Sequence, residues 1–175
     1  MQIIKTNIDM PIFKITVDNH KIIKPLILKS IKSMGSYSLI NEDQRITNTD
    51  WHMGPQFKRP YFDHVKFLIE NVSEQVGQYF NYENKNVRMS NYWYQQYYKG
   101  DYHTWHTHGT SSFSGVYYVD LNKDSPKTNF RINKNEFSVE INEGDVLIFP
   151  GFLEHTSKEN ISDGVKTIIS FNLDV

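Results

Sequence analysis

The chain contains no cysteine. That excludes disulfide frameworks, cysteine-bound zinc, iron–sulfur clusters and a thiol nucleophile. Alanine is missing too, while Ile, Asn, Lys, Tyr and Phe abound. These residues have AT-rich codons, the composition expected from an AT-rich genome such as a viral one. No run of about 18 apolar residues exists, so no transmembrane helix and no membrane partner are expected. Met1 to Met10 has no apolar stretch behind a basic start and does not read as a signal peptide. The default compartment is the cytoplasm, that of the host if the chain is virus-encoded. Net charge is scarce: 19 Lys and Arg against 20 Asp and Glu leave −1. Without a basic field, general nucleic-acid binding is not expected. The HExxH, GxSxG and P-loop patterns are absent, which removes the usual signatures of zincins, esterases and P-loop enzymes.

What remains is a chain of 175 residues, 38% hydrophobic and 14% aromatic, with 11 Tyr, 11 Phe and 3 Trp. That fits one domain, 1–175, with a core of its own, and disorder is not expected. Met10 to Val17 alternates as a short strand. From Asn19 to Met34, Ile22, Ile23, Leu26, Ile27 and Ile31 recur at helical spacing, with Pro25 expected in the first turn and Gly35 as the stop. Residues 40–60 are polar and irregular, a long loop of the kind that serves as a lid. Asp63 to Phe80 reads as a second helix, capped by Asp63, with Val65, Leu68, Ile69, Val72, Val76 and Tyr79 on one stripe. Beyond residue 85 the period becomes two. Val87–Tyr98, Ser112–Leu121, Phe137–Ile141, Asp145–Phe149 and Val165–Leu173 read as strands, separated by Gly- and Pro-bearing turns. The fold class is therefore α+β, mainly β. A jelly roll (double-stranded β-helix) over 86–175 is expected, supported by two N-terminal helices and a loop over 1–85.

Three of the seven histidines crowd into one segment, as His103, His106 and His108. In an extended strand, i and i+2 share a face, so His106 and His108 converge on one metal ion. His155 follows the apolar run Asp145–Phe149, and a later strand can bring it beside the first pair. Such a facial set of three leaves positions open on an octahedral ion, as non-haem Fe(II) oxygen chemistry requires. A surface or structural His-x-His gives the same sequence pattern, so the spacing alone leaves both readings open.

The segment Tyr97 to His108 resembles the strand that carries the first metal ligands of Fe(II)/2-oxoglutarate-dependent dioxygenases. Within that superfamily it is most similar to the prolyl-hydroxylase-like branch and to a group of such oxygenases in phages and bacteria. SGVYYVDL at 114–121, EGDVLIFPGFLEH at 143–155 and VKTIISFNL at 165–173 follow in the family's order. The resemblance spans about 90 residues, from Asn86 to Val175. It implies Fe(II) and 2-oxoglutarate as cofactors, O₂ as co-reactant, and hydroxylation of an aliphatic C–H, in that branch often on a protein or peptide. It places His106 and His155 on the family's two His ligands. His108 stands where a carboxylate is usual, with Asp101 as the alternative ligand. It places Lys166 on the cation that binds the distal carboxylate of 2-oxoglutarate, facing inward with Ile168, Ser170 and Asn172. A Lys at the strand edge reaching solvent is the other reading. Tyr118, with Ser114 on its face, falls on a second contact to that carboxylate. Tyr97 falls near the contact to the chelating end, with Asn91 as a weaker candidate. His103 is expected at the substrate side, and Trp51 and Trp105 on the cavity wall or in the core. Two alternatives stay open: a three-His cupin-type dioxygenase without 2-oxoglutarate, with Lys166 away from any cavity, and a non-enzymatic jelly-roll binding or virion module, with the three histidines apart.

Overall fold

The computed structural model describes residues 9–35, 37–81 and 87–175. The signal-peptide reading of residues 1–10 lies almost wholly outside them. Among the described residues, no helix is long and apolar enough to cross a membrane.

The chain opens with β1 (Phe13–Thr16), α1 (His20–Ser33), β2 (Leu39–Ile40), β3 (Gln44–Ile46) and β4 (Asn48–Thr49). A 3-10 turn (Pro60–His64) leads into α2 (Lys66–Tyr79). Then come β5 (Arg88–Tyr97), β6 (Tyr102–His106), β7 (Phe113–Asp120) and β8 (Thr128–Ile132). The chain ends with β9 (Asn135–Ser138), β10 (Asp145–Pro150), β11 (Glu154–Ser157) and β12 (Lys166–Asp174). The strands form two six-stranded sheets, ordered β1-β10-β7-β12-β5-β4 and β2-β3-β6-β11-β8-β9. Among the described residues every pairing is antiparallel.

Apolar contacts tie three layers together. Ile23, Ile27 and Ile31 of α1 and Ile69, Val72 and Val76 of α2 cover one face of the first sheet. They pack on Tyr117, Ile148, Ile169, Phe171 and Leu173. Its other face meets the second sheet through Val116, Tyr118, Phe130, Phe149 and Ile168. The alternation along β12 decides which side chain goes where, since neighbours in a strand point to opposite faces. Gly115 on β7 is required by this packing. A Cβ there would stand 2.1 Å from the Phe171 ring.

The helical regions depart from expectation in detail. Ile22 is 70% exposed and Leu26 44% exposed, because α1 meets the sheet along the narrower Ile23–Ile27–Ile31 line only. Pro25 lies inside α1 rather than in its first turn. It and Lys21 are exposed, so the carbonyl left without a donor faces water. Asp63 sits in the 3-10 turn and caps nothing; α2 starts at Lys66 without a side-chain cap. Tyr79 leaves the buried stripe and is 60% exposed, its ring edge on Phe13. Gly35, at φ +87°, ends α1 as expected.

Part of 40–60 is sheet rather than loop. β3 pairs with β6 and β4 with β5. The rest is pinned by Asp50, whose carboxylate takes hydrogen bonds from Arg59 Nε, Tyr61 Oη and the Tyr94 N–H. β8 and β11 had no counterpart in the sequence reading, and β9 falls two residues earlier than the alternation at 137–141 suggests.

Candidate metal centre and anion pocket

His106 ends β6 and faces His155 of β11 directly across the antiparallel pair. Each fixes its own tautomer on nearby backbone. His106 Nδ1 lies 2.8 Å from the Thr104 carbonyl oxygen and His155 Nδ1 2.9 Å from that of Leu153. The donated proton sits on Nδ1, which leaves the Nε2 lone pair free to bind a metal.

His108 arrives differently from the expected i, i+2 strand geometry. β6 stops at His106, and His108 stands in the loop beyond it. That loop is clamped to the β10–β11 turn: the His108 N–H donates to the Gly151 carbonyl, and the Gly151 N–H to that of Ser112. A Cβ at Gly151 would come within 2.1 Å of the Ser111 oxygen, so only glycine allows the clamp. The His108 ring then stacks on Trp93, with centroids 5.7 Å apart, and on His155, at 5.2 Å. One potential ligand atom from each of His106, His108 and His155 lies within 4.8 Å of the others. Burial lowers the pKa of all three, that of His155 to about 2 and that of His108 to about 4, with neighbouring imidazoles adding to the effect on those two. They are neutral at pH 7, the form that ligates. Three imidazole donors in one group, His155 buried and His106 and His108 half-buried, suit Fe(II) among other transition metals.

Lys166, the first residue of β12, is completely buried and points into the same cavity. Its Nζ donates to Ser157 Oγ at 2.9 Å and sits 4.8 Å from the centre of the Tyr97 ring. Among the described residues no carboxylate pairs with it, and burial alone pulls its pKa down to about 7. A cation this deep is costly unless an anion joins it. The reading of Lys166 as a solvent-facing edge residue is therefore overturned.

The other candidates divide. Ser170 and Ser114 line the cavity and donate to Gln95 Oε1 and Asn172 Oδ1 respectively. Tyr97 lines it beside Lys166. Tyr118 is buried one layer behind, its hydroxyl hydrogen-bonded to that of Thr128, and it is Thr128 that reaches the cavity wall. Asn91 is exposed and outside the cavity. Asp101 is no alternative ligand. Its carboxylate is fully buried in the Gly100 turn, where it accepts from the Thr47 N–H, the Thr47 hydroxyl and the Tyr98 N–H. Trp105 lies under the Arg131 guanidinium, away from the cavity. Trp51 packs on Trp93 at the mouth.

Sequence reasoning missed Ser157 and Thr128, because the short strands that carry them, β11 and β8, have no clear alternation. It also missed why His103 turns inward. Across β6–β11, His106 faces His155 and His103 faces Ser157, so three steps on β6 match two on β11. This bulge puts His103 and His106 on one face, their rings stacked at 3.6 Å.

No protein-family model matches the chain, and no curated protein matches its sequence. Solved structures do match its shape. The chain is similar to a viral collagen prolyl hydroxylase from Paramecium Bursaria Chlorella virus-1, in complex with 2OG. The TM-score is 0.67 and the identity 14%, over 93% of this chain and 94% of that one. It is similar to a Pseudomonas putida prolyl-4-hydroxylase at TM-score 0.69 and 11% identity, over 94% and 92%. A Trichoplax adhaerens prolyl hydroxylase, in complex with a hypoxia inducible factor peptide fragment, matches at 0.69 and 11%, over 93% and 83%. The chain has the fold of the 2OG-Fe(II) oxygenases, the prolyl hydroxylases among them.

Proposed function

We propose that the protein is an Fe(II)- and 2-oxoglutarate-dependent dioxygenase that hydroxylates an aliphatic C–H, with a protein or peptide side chain as the first substrate class to test. In this reading the sheets are the two halves of a double-stranded β-helix within one domain. The observation that carries the proposal is Lys166, a buried cation with no anion, in the same cavity as three convergent imidazoles. The spacing supports it. Lys166 is bonded to Ser157, two residues along β11 from His155. Two residues span about 6–7 Å in a strand, the reach of a five-carbon keto diacid held by a metal at one end and an ammonium at the other. A three-His dioxygenase without 2-oxoglutarate gives no reason for Lys166 to be there. A non-enzymatic module gives none for the histidines to converge.

His106, His108 and His155 would hold Fe(II), and Lys166 with Ser157 would hold the distal carboxylate. Bound together, Fe(II) and 2-oxoglutarate supply an O₂-derived oxidant while the keto acid is converted to succinate and CO₂. The chain's own work is positional. The Thr104 and Leu153 carbonyls hold two imidazoles in the ligating tautomer. Trp93 and the Gly151 clamp hold the third. Tyr97 and Ile168 wall the Lys166 end from water, which strengthens its attraction for the carboxylate. Tyr118 acts through Thr128, and Ser170 keeps Gln95 in place on the wall. With three neutral ligands, the charge of a dianionic cosubstrate is met by the metal and Lys166 alone.

The test is anaerobic addition of Fe(II), then 2-oxoglutarate, followed by the weak metal-to-ligand charge-transfer absorption of the chelate. The band is expected in the wild type and absent in His155→Ala and Lys166→Met. Iron binding with no band would make the protein a metal enzyme of another kind.

A further inference from the structure

His103 is not needed for a three-imidazole site, yet the β6 bulge turns it into the cavity. It lines the inner cavity together with Lys166, Ser157 and Tyr97. Its ring lies flat on His106, with 13° between the planes. Its backbone carbonyl is tied down by the Thr156 hydroxyl at 2.6 Å. Its ring nitrogens, in contrast, have no hydrogen-bond partner among the described residues. An imidazole always carries at least one N–H, whichever tautomer it adopts. His103 is half-buried, so this N–H is open to the cavity, where a ligand oxygen can accept from it. Its register position opposite Ser157 puts it on the same rung as the Lys166 ammonium. The stack on His106 puts its ring against the three-histidine group.

We propose that His103 is a cosubstrate-binding residue, its ring N–H donating to a carboxylate oxygen of the keto diacid between the metal ligands and Lys166. This rests on the reading of the cavity as a 2-oxoglutarate site. It also assigns the bulge a purpose: one extra residue in β6 turns a second side chain of that strand, beside His106, into the cavity. His106 serves the metal, and His103 serves the acid.

The experiment uses the full chain loaded with Mn(II) in place of iron and measures 2-oxoglutarate affinity calorimetrically under nitrogen, with Mn(II) affinity measured separately. His103→Phe keeps a flat ring on His106 and removes both nitrogens. Its 2-oxoglutarate affinity is expected to fall by about 10- to 100-fold, the loss of a hydrogen bond to a charged acceptor, while Mn(II) affinity stays within about twofold. His103→Asn keeps an N–H donor and is expected to recover part of the loss; it also serves if the Phe variant does not fold. Unchanged 2-oxoglutarate affinity in a folded His103→Phe would overturn the proposal. So would a parallel loss of Mn(II), which would make His103 a support for the metal ligands instead. A wild-type Mn(II) protein that does not bind 2-oxoglutarate would overturn the underlying reading and this inference with it.

Discussion

The two faces of the first sheet are built from the same strands and differ in almost every property. Along β12, Ile169, Phe171 and Leu173 turn toward the helices and are fully buried among apolar groups. One residue out of step, Lys166, Ser170 and Asn172 turn toward the second sheet and carry charge, hydroxyl and amide into a cavity. β7 repeats the division, with Phe113 and Tyr117 on one side and Ser114 on the other. The helix-side face supplies stability, and the inner face spends some of it to hold a buried cation without a counter-ion beside an open cavity. The helices matter to function although none of their residues lines the cavity: without them the sheet would have no apolar face to offset its polar one.

The sharpest break of this contrast is Phe171→Ala. It removes a fully buried ring that covers Gly115 and is expected to cost about 3–5 kcal/mol, read as a lower denaturant midpoint with unchanged slope. The inner face should respond in the opposite direction. Lys166→Met fills the same space without the charge and is expected to raise stability by about 1–4 kcal/mol, while abolishing 2-oxoglutarate binding. A Lys166→Met protein less stable than wild type would mean that the ammonium is satisfied in the resting fold. Taken per pH unit, the smallest effect is a pH dependence. The folded pKa of Lys166 is pulled from 10.5 to about 7, so between those values the unfolded chain holds the proton more tightly. Stability of the ligand-free protein should therefore rise with pH across that window, by at most about 1.4 kcal/mol per pH unit, and the slope should be shallower in Lys166→Met. Thermal denaturation over a pH series reads it.

Alternation made the inner and outer sets of β12 legible from the sequence, and the family resemblance singled out His106, His108 and His155, although His108 reaches the group from a loop and not by the expected i, i+2 strand geometry. What stayed hidden depends on partners far away in the chain. Asp101 looked like a spare carboxylate because nothing local announces that Thr47 closes over it. The inward turn of His103 needs a bulge, which exists only relative to β11. β11 itself, EHTS, is four residues of mixed polarity whose strand character comes from β6 and β8 on either side. Ile22 and Leu26 fit a helical stripe perfectly well, but a stripe does not say how wide the surface beneath it is.

The clamp at Gly151 carries a kinetic consequence. His108 takes its place only when the β10–β11 turn has docked on the loop after β6, and His155 only when β11 has paired with β6. Contacts of such long sequence separation close late. An ensemble still short of that closure holds no complete set of ligands, so a metal ion finds nothing there to stabilise. The binding energy of an ion held there would then appear almost entirely in the rate of unfolding and hardly at all in the rate of folding. The ion would act as a latch on a finished molecule rather than as a template for an unfinished one.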